Sequence, residues 1–204
     1  MSFYRFPTKA QIERWRREGS GLKWCIKVHR SITHTGKLGK DSVQRMEEFM
    51  EHFRPMDSFI SFYLLQFPSS FGPERYEELD AFLSSLDSSR VAVELRNQSW
   101  DAYAQHRVLK GCLVSPDSPF SSGKVACLNG TVYLRFHGRK RWYAYRYTDR
   151  ELKEVASLAI RSKPRQLFAF FNNDEAMLDN ARYFARAIAE QTRTGRDAVR
   201  KNNK

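Results

Sequence analysis

The sequence predicts an α/β fold built on parallel strands, and three observations carry that expectation. Short apolar runs alternate with helix-period segments from Leu22 to about Glu190. The runs are rich in Val, Ile, Phe, Tyr and Leu and bounded by Gly, Pro, Asn or Asp, as strands buried on both faces should be. Several of them turn polar or charged at their C-terminal ends, the side on which parallel α/β folds bind ligands. Pattern alone leaves a (β/α) barrel and a doubly wound open sheet both open.

The elements follow in order. Thr8 with Gln11 fits a capping box and starts a helix over Lys9–Glu18. Strands are expected at Lys23–His29, Phe59–Phe67, Val91–Arg96, Gly111–Ser115, Thr131–His137 and Gln166–Asn172. Between the first two, Ser42–Phe53 reads as a helix whose buried stripe is Val43, Met46, Met50 and Phe53. Further helices are expected near Pro73–Leu86 and Asp174–Glu190, and a second capping box, Thr148 with Glu151, opens one over Asp149–Ile160. Residues 1–190 read as a single domain. Residues 191–204 read as a basic, flexible tail, because Arg193, Arg196, Arg200, Lys201 and Lys204 face only Asp197 and no apolar period continues.

At 204 residues and 41% hydrophobic content the chain can bury a sizeable core. No apolar run is long enough to span a membrane and the first residues do not resemble a signal peptide, so a cytoplasmic location without a membrane partner is expected. Cys25, Cys112 and Cys127 are odd in number and widely spaced, which favours core thiols over disulfides or a thiolate zinc site. The net charge is +12, and most of it lies late: residues 131–204 hold 17 Lys and Arg against 8 Asp and Glu, whereas residues 1–130 hold 18 against 15. Such a field attracts polyanions, nucleic acid among them.

The candidate site is read from same-face pairs at the strand ends. Residues two apart on a strand share a face, so Lys27 and His29, Glu94 and Arg96, and Arg135 and His137 each point one way. Gln66 and the Asn172-Asn173 pair end two further strands. If all these faces turn inward, they line a predominantly cationic mouth. A structural reading competes, in which Glu94 pairs with Arg96 or Arg135 and merely satisfies buried charge. The segment from His137 through Gly138, Arg139, Lys140, Arg141, Trp142 and Tyr143 adds cations and stacking rings, with Arg139 and Trp142 as ligand contacts. Glu94 and His137 are the candidates for acid and base. No HExxH, GxSxG or P-loop pattern is present, His52 and His106 read as helix-surface residues, and no intrinsic metal site is expected; a Mg²⁺ brought by substrate would use Glu94 or Asp117. The cofactor is left unknown.

The same segments carry a family resemblance: Phe3-Tyr4-Arg5-Phe6-Pro7, Lys27-Val28-His29-Arg30 with Ile32-Thr33-His34, and Leu64-Leu65-Gln66-Phe67-Pro68-Ser69-Ser70-Phe71. Val93-Glu94-Leu95-Arg96-Asn97 with Ser99-Trp100, Tyr133 to Arg139, and Phe170 to Asp174 with Asn180-Ala181 continue it in order. Together they resemble the YecE-like family, domain of unknown function 72. The resemblance implies a TIM-barrel-like fold with the shared polar residues at its mouth, and no established activity. Structural comparisons within the family suggest kinship with endonuclease-IV-like barrels, although their zinc ligands have no counterpart here. Family members usually carry an upstream strand, helix and strand, so the resemblance implies an incomplete barrel of about six strands. Its uncovered edges would invite an oligomer. The expected function is binding of a phosphate-bearing ligand such as nucleic acid, with phosphodiester hydrolysis as an activity. The alternatives are an enzyme of sugars or sugar phosphates using Glu94 and His137, and an inactive remnant.

Overall fold

The computed structural model describes residues 2–34, 38–103 and 110–202, and the chain divides into two compact units, residues 1–112 and 113–204. His106 and Lys204 lie outside the described residues.

In the first unit, α1 (Lys9–Glu18) begins at Thr8 with the expected capping box. It is followed by β1 (Trp24–Lys27), the one-turn α2 (Arg30–Thr33) and α3 (Lys40–His52). Then come β2 (Ile60–Phe67), α4 (Tyr76–Ser84) entered through a short 3₁₀ turn at Pro73–Arg75, β3 (Val91–Leu95) and α5 (Trp100–Tyr103). β1, β2 and β3 pair in parallel, with Lys27 opposite Leu64 and Gln66 opposite Glu94. β2 is mostly apolar, and seven of its eight residues are buried, Gln66 among them. The buried face of α3 is centred on Ser42, Met46 and Phe49, with Phe53 following. Val43 and Met50 are half-buried, so the expected stripe is rotated by about one residue. The reason is ring packing: Phe49 meets Phe53, Tyr63 and Phe6 at centroid distances of 5.0, 6.3 and 5.4 Å.

The second unit holds β4 (Cys112–Asp117), β5 (Cys127–Leu128), β6 (Thr131–Phe136), α6 (Asp149–Arg161), β7 (Gln166–Phe171) and α7 (Met177–Asn202). β4, β6 and β7 are parallel, with β6 in the middle, and β5 pairs antiparallel to the start of β6. α6 and α7 cover one face through Leu152, Val155, Ala156, Ala159, Phe184 and Ala187, packed on Val132, Leu134 and Phe136. Phe136 stacks on Phe171 at 4.3 Å and 7°. α7 continues past Glu190 to Asn202, so the backbone of the expected tail is helical over most of its length.

All six expected strands are present. β5 was not expected, although its signal is in the sequence: Asn129-Gly130, both at positive φ, makes the tight turn into β6. The fold class is α/β, as predicted. No disulfide links the cysteines, and Cys112 alone of the three is fully buried. Among the described residues no helix is long and apolar enough to cross a membrane.

Candidate functional site

The predicted mouth residues fall into two sets: Lys27, His29, Gln66, Glu94 and Arg96 belong to the first unit, and Arg135, His137, Arg139, Trp142, Asn172 and Asn173 to the second.

In the first unit, the parallel register brings Gln66 and Glu94 side by side at the C-terminal ends of β2 and β3. Arg96 bridges them, its Nε donating to Glu94 Oε1 at 3.0 Å and its Nη2 to Gln66 Oε1 at 3.0 Å. The Glu94 side chain is 1% exposed and that of Arg96 is 28% exposed. A buried carboxylate therefore holds a guanidinium in a set direction. This is the Glu94–Arg96 pairing that the same-face spacing allowed.

Lys27 ends β1, and its ammonium stands 3.6 Å from the centre of the Phe3 ring, a cation–π contact. Phe3 is held there because Ser2 Oγ donates to the Lys27 carbonyl and Arg30 N–H donates to the Phe3 carbonyl. His29 caps α2: its Nδ1 accepts from Ser31 N–H at 3.2 Å, which puts the ring proton on Nε2. His34, at the end of α2, lies edge-on to the same Phe3 ring at 5.2 Å. Burial and the charges of Lys27, Arg30 and Arg96 push its pKa below the ordinary 6.5. Four cationic or potentially cationic groups thus share one corner at the strand ends. Arg30 and His34 were not singled out as ligand contacts, although both lie in the Lys27 to His34 motif that carried the resemblance.

The second unit spends its charges differently. Asp117, at the end of β4, accepts from Arg139 Nε at 3.0 Å and Nη2 at 2.9 Å, from Tyr147 Oη at 2.9 Å and from Gly123 N–H at 3.2 Å. Both its oxygens are occupied, which leaves no ready position for a cation. Arg139 also lies 3.5 Å from Glu151. Burial opposes its charge, but Asp117 and Glu151 outweigh that and hold its pKa above the ordinary value. The guanidinium expected to meet a ligand is committed to an ion-pair cluster. Glu151 is itself held below the usual carboxylate range: desolvation opposes ionisation, but hydrogen bonds from Thr148 and Tyr145 and the charge of Arg139 prevail. Tyr145, partly desolvated and bonded to Glu151, is pushed up to about 12.

His137 is fully buried at the end of β6, and its ring packs 5.4 Å from Trp142. Arg135 is buried one residue before the C-terminal end of β6, beside Pro116 and Phe170. Asn172 extends the ladder by donating its backbone N–H to the Phe136 carbonyl. Asn173 donates its amide to the Tyr145 carbonyl and to Asn180 Oδ1, while Asn180 pairs with both backbone groups of Tyr147. These asparagines clamp the segment that returns from residues 137–143. Among the described residues no group of His, Cys, Asp and Glu is arranged to hold a metal ion.

Comparison with known proteins supports the fold and names the family. The chain resembles a DUF72 family protein from Enterococcus faecalis V583, at 19% identity and a TM-score of 0.75, over 92% of this chain and 82% of that one. A DUF72 family protein from Thermotoga maritima MSB8 aligns at 23% identity with a TM-score of 0.71, over 93% and 82% of the respective chains. No curated protein matches the sequence. The family described as "Protein of unknown function DUF72" matches residues 1–203, and the chain belongs to that family.

Proposed function

We propose that this protein binds a phosphate-bearing ligand, nucleic acid above all, at the corner formed by Lys27, Arg30, His34 and Arg96. The observation that carries the reading is the concentration of these groups at the C-terminal ends of parallel strands, where Glu94 and Gln66 orient Arg96. Glu94 and Gln66 take Arg96 Nε and one Nη2 hydrogen, so the guanidinium is held in one orientation before a ligand arrives. The net charge of +12 draws polyanions to the protein as a whole, while the corner itself rests on its own four groups, since residues 1–130 hold 18 Lys and Arg against 15 Asp and Glu.

The test is titration of labelled oligonucleotides across a salt series. Binding should weaken steeply as salt rises, and Lys27→Ala with Arg30→Ala should reduce the log–log salt slope by about 2, roughly one per lost contact. An unchanged slope in a folded variant would move the phosphate site elsewhere. A compact phosphate ester that competes at equal charge would favour a small metabolite.

His34 supplies a pH dependence. Because its folded pKa is lowered, the unfolded state takes up the proton first, and the neutral ring's contribution to stability is lost as pH falls below about 6.5. A bound phosphodiester reverses the local field, so affinity should rise as pH falls through the same window. His34→Gln should flatten both slopes, measured as the difference from the parent protein. Identical pH profiles would remove His34 from the site.

A further inference from the structure

The second unit carries an aromatic surface over the buried His137, whose ring Trp142 and Tyr143 meet at 5.4 and 5.8 Å, and Phe120 extends that surface outward. Phe120 sits at the tip of a tight hairpin closed by two backbone hydrogen bonds between Ser118 and Ser121, and it is 64% exposed. A hairpin tip ordinarily carries a polar residue or glycine, so an exposed ring here gains nothing from folding. Trp142 lies 6.1 Å from Phe120, and Tyr143, 40% exposed, lies 5.8 Å from Trp142. The loop that presents the last two is held in shape. Gly138 and Tyr143 both adopt positive φ, Tyr143 N–H donates to the His137 carbonyl, and Tyr147 Oη accepts from Gly138 N–H. Lys140 and Arg141, both exposed, adjoin the rings.

We propose that Phe120, Trp142 and Tyr143 stack the unpaired bases of a single-stranded nucleic acid, with Lys140 and Arg141 meeting its phosphates. Charge selects this occupant: Asp117 and Glu151 both pair with Arg139, and the remaining charges of segments 118–124 and 137–143 are Lys124, Lys140 and Arg141, with no Asp or Glu among them. A second copy of the chain or another protein would need a strongly acidic partner face, whereas a nucleic acid offers phosphates and flat apolar rings together. The three rings are tilted from one another by 58° and 48°, which suits splayed bases rather than a continuous stack. A duplex conceals its base faces, so the single strand is preferred.

This inference rests on the phosphate reading above and is tested separately from it. Fluorescence anisotropy would compare three probes of equal length: oligo-dT, a duplex, and an abasic phosphodiester polymer with the same charge and no bases. Oligo-dT should bind more tightly than the abasic polymer by roughly five- to a hundredfold per stacked base. Phe120→Ala, which removes one exposed ring, should cut that advantage by one base's share, roughly five- to a hundredfold, while Lys140→Ala with Arg141→Ala lowers affinity for both probes. Equal affinity for oligo-dT and the abasic polymer would overturn stacking while leaving phosphate binding intact. Failure of every probe to bind would overturn both readings. A self-association lost in Phe120→Ala, with no base preference, would assign the rings to a protein interface instead.

Discussion

Replacing Asp117 with alanine is expected to destabilise the second unit by about 3–5 kcal/mol, the range for removing one partner of a buried ion pair. The Asp117 side chain is 8% exposed and that of Arg139 is 18% exposed. The variant would leave the guanidinium facing only the more distant Glu151, and would strip a hydrogen bond from Tyr147 and from Gly123. Chemical denaturation followed by hydrogen exchange of amides in residues 113–194 would locate the loss. A change below about 0.5 kcal/mol would mean that water reaches Asp117 freely, as in an exposed pair. Arg139→Ala should be milder than Asp117→Ala if Tyr147 and Gly123 continue to satisfy the carboxylate.

Gly138→Ala is expected to cost about 2–4 kcal/mol, from backbone strain and collision together. The glycine has φ +99°, where an L side chain is strained. A methyl group there would lie 2.5 Å from the Arg141 carbonyl oxygen and 2.6 Å from Tyr145 Cβ. Because these contacts are made with backbone and with a Cβ atom, relief requires residues 137–145 to move. The functional consequence separates the two proposed sites: preference for oligo-dT should fall with the loop, whereas the salt slope set by Lys27 and Arg30 should persist. A Gly138→Ala protein with the parent's stability and base preference would show that the loop conformation does not present the rings.

Much of the architecture is legible in the sequence. β2 and β6 announce themselves as largely apolar runs because both faces are buried, and the polar exceptions Gln66 and Arg135 fall near their C-terminal ends. The capping boxes at Thr8 and Thr148 are local, two-residue devices, so they read directly from spacing. Glu94 with Arg96 was equally legible, since residues two apart on a strand must share a face. β5 is signalled by Asn129-Gly130, a pair suited to the positive φ of a tight turn.

What the linear pattern determined by itself was the alternation of strand and helix, the polar ends of the strands and the excess of positive charge. The tertiary structure decided which group each charge meets. Arg139 looks like a ligand contact until Asp117, 22 residues earlier, is found against it, and His29 looks like one until its ring is seen capping α2. Conversely, the lowered pKa of His34 comes from its burial and from Lys27, Arg30 and, 62 residues later, Arg96, a combination that only the fold assembles. Periodicity reports which face a residue occupies, through bonds no longer than one helical turn. Charge pairing acts through space, and its outcome depends on which distant segment the fold sets within a few ångströms.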